Sequence, residues 1–219
     1  MFSKMQFAAT LEQTAAVFGV RLQRHQCQPS SLVNAFDHAF HPVITANNPE
    51  ILDCRHRWGL VPPDWNKEPE EIWNHTISAK LEYLHKRYAW QKVSMNRCLI
   101  PVTGFYEYHW NDPKGKSKTR YLMTDPENEI FALGGLYSEW QKDGIILKTF
   151  AVCTTKGNDI MEFVHNKDAA KNYSRMPVVL NIGDEKNWLD VKIPYADFAY
   201  PNHKPLIKAT PDPVQPTLF

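Results

Sequence analysis

The chain has 219 residues, 43% of them hydrophobic and 22% charged, with a formal net charge of +1. These proportions exclude disorder, and the near-zero charge excludes a global field that would announce a nucleic-acid partner, so any polyanion site must be a local patch. The length suffices for one large core. Cys27, Cys54, Cys98 and Cys153 are far apart with no CxxC pair, which suits neither a zinc site nor a disulfide framework. With no apolar leader and no stretch of membrane-spanning length, free thiols in a cytoplasmic setting are expected.

In chain order, Thr10 and Gln13 form a capping box and Gly19 sits where a helix would stop, predicting a helix over 11–18 with Leu11, Ala15 and Phe18 inward. Residues 29–57, with Pro29, Pro42 and Pro49, read as loops and short strands. Trp58 to Pro63 ends a strand in a proline-stiffened turn. Glu70–Trp73 and Lys80–Trp90 read as helical, the latter with Leu81, Leu84 and Tyr88 at helical spacing. Strands follow at Cys98–Tyr108, Arg120–Thr124, Ile130–Tyr137 and Ile145–Thr154, separated by turn residues at Asp112 to Gly115, Asp125-Pro126 and Asp143-Gly144. A helix at Asn158–Val164, a strand at Met176–Leu180 and a helix at Asp184–Leu189 complete the pattern. Successive strands with helices at either end predict α+β: a curved, largely antiparallel sheet or partial β-barrel flanked by helices. One domain is expected over 1–200. A proline-rich extended tail is expected over 201–219.

Three features could carry chemistry. Glu107 lies in an aromatic strand and shares a face with Phe105 and His109 if alternation holds. It is either a solvent-facing carboxylate or an acid/base whose pKa is raised by apolar neighbours. His165 ends an apolar helix, where a histidine serves structure or a site. Residues 80–97 set Lys80, Lys86, Arg87, Lys92 and Arg97 against the single acid Glu82, with Tyr83, Tyr88 and Trp90 interleaved. Cations plus stacking rings suit single-stranded nucleic acid, and a solvated face with core aromatics is the equal alternative. The run from Lys114 to Lys118 reads as a solvated hairpin loop. His38 and His41 could share a metal, but no third ligand accompanies them, and neither metal nor cofactor is expected.

Six segments in order resemble the SOS-response-associated peptidase (SRAP) family over roughly residues 30–190. They are WGLVP from Trp58 with Trp65 after it, NRCLIPVTGFYE ending at Glu107, FALGGLYSEW from Phe131, TFAVCTT from Thr149, Ile160 through His165, and RMPVVL from Arg175. The resemblance implies an SRAP-like fold and action on abasic sites in single-stranded DNA in DNA-damage and SOS responses. In the family, a Cys at position 2, exposed once Met is removed, attacks the ring-opened sugar through its amine and closes a thiazolidine with its thiol. An α-amine titrates near 8 and is partly neutral in cells, and ring closure by a neighbouring thiol is intramolecular. The resemblance assigns Glu107 to acid/base work and His165 to sugar ring opening and link reversal. It sets Asn34, Trp65 and Thr154 beside the DNA or the site, while the basic and aromatic segment offers Lys80, Arg87, Tyr88 and Trp90, and the RMPVVL segment Arg175, as further DNA contacts.

Departures accompany the matches. Phe2 stands at the Cys position, Ser78 at the Asn that orients the N-terminal residue, and Lys80 at an Arg. An extra loop falls between His165 and Arg175. Three readings follow: a crosslinking enzyme whose Cys is missing from this sequence, a diverged DNA-binding protein or imine-only lyase, and, last, a cysteine-type peptidase. A monomer is the default.

Overall fold

A computed structural model describes residues 2–23, 27–167 and 174–212. The first helix, α1 (Leu11–Phe18), is set by local chemistry. The Thr10 side chain accepts from the Gln13 amide, the Gln13 side chain accepts from the Thr10 amide, and Gly19 at φ 64° closes the far end.

Five strands close a barrel: β4 (Phe40–Thr45), β5 (Asn48–Trp58), β7 (Arg97–Val102), β10 (Phe131–Lys142) and β11 (Ile145–Lys156). Each pairs antiparallel with its neighbour through β5–β4–β7–β10–β11, and a parallel β11–β5 ladder at Lys148 to Phe150 shuts the ring. Four short strands extend it: β2 (Arg21–Gln23) on β5, β6 (Ser78–Lys80) and β12 (Arg175–Pro177) on β11, and β13 (Val179–Leu180) on β10. Asp143 and Gly144, at φ 51° and 80°, make the two-residue turn that joins β10 to β11. Both residues are left-handed, as the twist of such a hairpin demands.

A second sheet has the order β14 (Lys208–Pro211), β9 (Lys118–Thr124), β8 (Gly104–Trp110), β1 (Lys4–Phe7), β3 (Ser30–Asn34). Val33, Phe105 and Met123 of this sheet pack with Trp58, Phe150 and Val152 of the barrel in one core. On the barrel's outer face, Ile44, Leu52, Leu99, Ala151 and Cys153 pack with Ala15 of α1 and Trp188 of α4 (Asp184–Leu189). The remaining α-helices among the described residues are α2 (Tyr88–Gln91) and α3 (Asp159–Val164).

The α+β class with a curved, flanked barrel holds; several boundaries differ. The single strand expected over Cys98–Tyr108 is two strands in two sheets. Thr103 breaks it by accepting from the Ala8 amide and donating to Gln6, and Gly104 passes so close to β9 that a Cβ would lie 2.9 Å from the Met123 carbonyl. The helical segment expected over Lys80–Trp90 is interrupted, reduced to a 3-10 turn at Leu81–Tyr83 and the short α2. Lys80 is held extended by the β6–β11 ladder, and Arg87, at φ −109° and ψ 131°, breaks the path again, so Leu81, Leu84 and Trp90 reach the core from turns and from α2. Glu70–Trp73 is likewise two 3-10 turns, Pro69–Glu71 and Trp73–His75. Part of the tail is integral: β14 pairs with β9, and Arg120 bonds Asp212. From 213 onward, and for the extra loop over 168–173, the chain lies outside the described residues.

Candidate active site

β8 carries Glu107 toward α3. His109, two residues on, donates from Nδ1 to the Phe163 carbonyl (2.8 Å) and stacks on the Phe163 ring. Asn166, just past α3, clasps the same strand from its end, its carbonyl accepting from the Trp110 amide at 2.7 Å and its amide donating to the Trp110 carbonyl at 2.9 Å. Between these two ties sits His165, which caps α3. Its Nδ1 lies 3.8 Å from Glu107 Oε2 and 3.3 Å from the Arg175 carbonyl. Burial raises the Glu107 pKa above the usual carboxylate range, and His165 and the Tyr108 amide oppose that rise. A carboxyl shifted in that direction holds a proton more readily than an ordinary carboxylate, as a general acid requires.

The imidazole opens onto a cleft of about 390 Å³ whose walls include Phe2, Ser78, Lys80, Arg87, Trp90, Thr154 and Arg175. Phe2 is a core residue, with its ring 5.7 Å from Trp58 and 5.6 Å from Phe105. Because β6 runs parallel to β11, Ser78 stands opposite Val152 and Lys80 opposite Thr154. Arg175 grips Glu82 with both Nη atoms at 2.7 and 3.0 Å and donates to the Thr154 carbonyl at 2.8 Å. Burial pushes Glu82 upward, but hydrogen bonding to Arg175 and to a backbone amide, together with the Arg175 and Lys80 charges, outweighs it and its pKa falls. That bidentate pair fixes the cleft's floor and spends Arg175 on Glu82.

Other expected residues stand elsewhere. Trp65 packs with Trp140 and Ile72, and Asn34 accepts from the Phe36 amide at the end of β3; neither is among the cleft's walls. Tyr88 is half-exposed, its hydroxyl on Asp64 at 2.8 Å. The cationic run also shrinks. Arg97 is buried, donating to the Trp188, Asp190 and Ile193 carbonyls beside the Tyr195 ring, and Lys92 pairs with Asp64. Lys80, Lys86 and Arg87 remain, with Lys80 and Lys86 both over the exposed Tyr83 ring.

The model of the family described as "SOS response associated peptidase (SRAP)" matches residues 1–211. The chain belongs to the SRAP family. It is 38% identical over 138 residues to the abasic site processing protein YoqW of Bacillus subtilis, which covers 62% of this chain and 56% of YoqW. It is 32% identical over 139 residues to the abasic site processing protein YMR114C of Saccharomyces cerevisiae, covering 62% of this chain and 34% of that one. The matched stretch thus spans little more than half of the bacterial relative's length and about a third of the yeast relative's. A crystal structure of a Bacteroides thetaiotaomicron protein superposes with a TM-score of 0.82 at 23% identity, covering 94% of this chain and 90% of the other, and shares the fold.

Within this SRAP site, Asn166 and Lys167 escaped sequence reasoning. Lys167 lines the cleft and lies 5.4 Å over the Trp110 ring. The one available signal was position, since both follow His165 directly. No cysteine lines the cleft; all four are buried free thiols, and Cys27 donates to the Cys54 carbonyl. His38 and His41 use ring nitrogens on the Trp58 and Pro101 carbonyls.

Proposed function

We propose that this SRAP chain processes abasic sites in single-stranded DNA by capturing the ring-opened sugar aldehyde as a reversible imine. The supporting observation is the Glu107–His165 pair: far apart in sequence, they meet at 3.8 Å beside a cleft that Phe2 walls. The α-amine of the residue ahead of Phe2 adds to the aldehyde carbon, giving a carbinolamine. Glu107 protonates the departing hydroxyl as water, leaving the protonated imine, and takes the proton back when water adds in the reverse step. His165 moves protons on the sugar oxygen during ring opening. The family's thiazolidine closure needs a thiol, and Phe2 supplies none. Lys80, Lys86 and Arg87 with Tyr83 provide phosphate contacts and a stacking ring for the strand.

The test is incubation with single-stranded DNA bearing one abasic site, followed by denaturing electrophoresis. A shifted band that appears only after borohydride reduction is expected, and mass mapping of the adduct identifies the amine. A heat-stable band without reduction would overturn the imine reading, and no adduct under either condition would overturn covalent capture altogether.

A further inference from the structure

The other end of the barrel holds a larger recess of about 560 Å³ that abasic-site chemistry leaves unused. β11 measures the separation: Lys148 lines the recess and Thr154 the catalytic cleft, which at 3.3 Å per residue puts them roughly 20 Å apart. Between them Phe150 and Val152 are fully buried, and Trp58 stacks on Phe150 at 6.0 Å, so an apolar plug divides the two cavities.

A β-bulge aims the recess lining. Where β4 advances from His41 to Val43, β5 runs from His56 back to Asp53, one residue more, so Asp53 and His56 come to share a face despite their odd spacing. Three lining residues are buried with polar atoms that have no hydrogen-bond partner: His56 at both ring nitrogens, and the Tyr137 and Ser138 hydroxyls. Unpaired buried polar groups are costly and rare, and three in one recess mark a place built for company. Desolvation lowers the His56 pKa to about 4 and raises that of Tyr137 to about 12, leaving both neutral at cellular pH.

The charges at the rim cancel. Arg55 binds both Asp53 oxygens at 2.8 Å, and Lys148 reaches Asp53 at 3.2 Å and Glu139 at 3.0 Å. An anion would meet Asp53 and Glu139, and a cation would meet Arg55 and Lys148. Flat heterocycles gain little, because His56 and Tyr137, the aromatic residues of the lining, are buried. What fits interleaved donors and acceptors of zero net charge is a group that does both. Hydroxyls do.

We propose that this barrel mouth binds a neutral polyhydroxylated small molecule of monosaccharide size, its hydroxyls paired with Asp53, Glu139, Lys148 and Asn48 and reaching toward the His56–Tyr137 floor. The volume lies within the range of small-molecule sites, and barrel mouths commonly serve as such.

The test is an NMR titration of the histidine-labelled chain with D-ribose and D-glucose, with ribose 5-phosphate and glucosamine as charged counterparts. A saturable shift of the His56 ring resonances by a neutral sugar is expected, at least about tenfold tighter than for either charged one. Asn48→Ala combined with Glu139→Gln, both on the exposed rim, should weaken binding by about tenfold with the remaining resonances unmoved. Absence of a saturable shift with both neutral sugars, preference for a charged sugar, or unchanged binding by the rim variant overturns the proposal. The reaction with abasic DNA is read separately and stands or falls without it.

Discussion

Replacing Glu107 by Gln keeps the side chain's size and removes its exchangeable charge, so two effects can be read from one substitution. The first is stability. Burial raises the folded-state pKa above the ordinary 4.5, so the folded protein binds this proton more tightly than the unfolded chain does. Stability is then full below 4.5 and is lost as pH rises through the folded pKa, by about 1.4 kcal/mol for every tenfold difference in proton affinity between the folded and unfolded chain. Glu107→Gln carries no such penalty. Denaturant unfolding at acidic and neutral pH should therefore find the variant gaining on the parent as pH rises. The second effect is rate. A general acid contributes roughly 10²–10⁴-fold, so borohydride-trapped adduct should form slower by about that factor. Equal trapping rates refute the acid/base role. A variant less stable than the parent at neutral pH refutes the desolvation argument, because it would mean that His165 at 3.8 Å more than offsets the burial.

Asn166→Ala removes both clasps on the Trp110 backbone and frees the end of α3; a loss of about 1–3 kcal/mol in unfolding free energy and a slower adduct rate at unchanged DNA affinity are expected. Reversing Lys80, Lys86 and Arg87 to Glu should weaken binding of single-stranded DNA and flatten its salt dependence, measured by fluorescence anisotropy over a salt series; unchanged affinity returns the segment to a solvated face. Phe2→Cys, verified by mass spectrometry to have lost Met1, should convert the reducible adduct into a heat-stable one on denaturing gels. A core cost of about 3–5 kcal/mol, as for large-to-small aromatic replacements, should accompany it in thermal unfolding.

What could be read from the sequence was local. The caps of α1 and the Asp143-Gly144 turn depend on residues within four positions of one another, and both form as expected. The strand-rich middle placed the barrel, but not the point at which one apolar run leaves it, because Gly104 is needed for its approach to Met123 from a distant strand. Lys80–Trp90 has helical spacing of its apolar residues but no continuous helix, since pairing of β6 with β11 overrides local propensity at its start. Arg97 reads as a surface cation and is instead a buried donor to three carbonyls. Spacing alone never joined Glu107 to His165; that link came from the resemblance. The barrel mouth left no trace in the sequence, because a bulge inverts the alternation that would have revealed it.

Phe2 ties these observations together. Its ring meets Trp58 and Phe105 in tilted and edge geometry, contacts that add about 0.5–1.5 kcal/mol each to the area buried. The same Trp58 stacks on Phe150 within the barrel, so the second residue of the chain belongs to the apolar plug that separates the two cavities. A residue committed to that plug cannot also be a nucleophile, and none of the four buried thiols reaches the cleft to replace it. Burial raises the pKa of Cys98 and Cys153 as well, which keeps them protonated and unreactive even if the aldehyde came near. Position 2, which the family's crosslinking mechanism uses for covalent permanence, is in this chain an apolar wall of the cleft onto which His165 opens, and it carries no thiol. On the proposed reading, capture then proceeds without ring closure: the imine forms, and water can undo it.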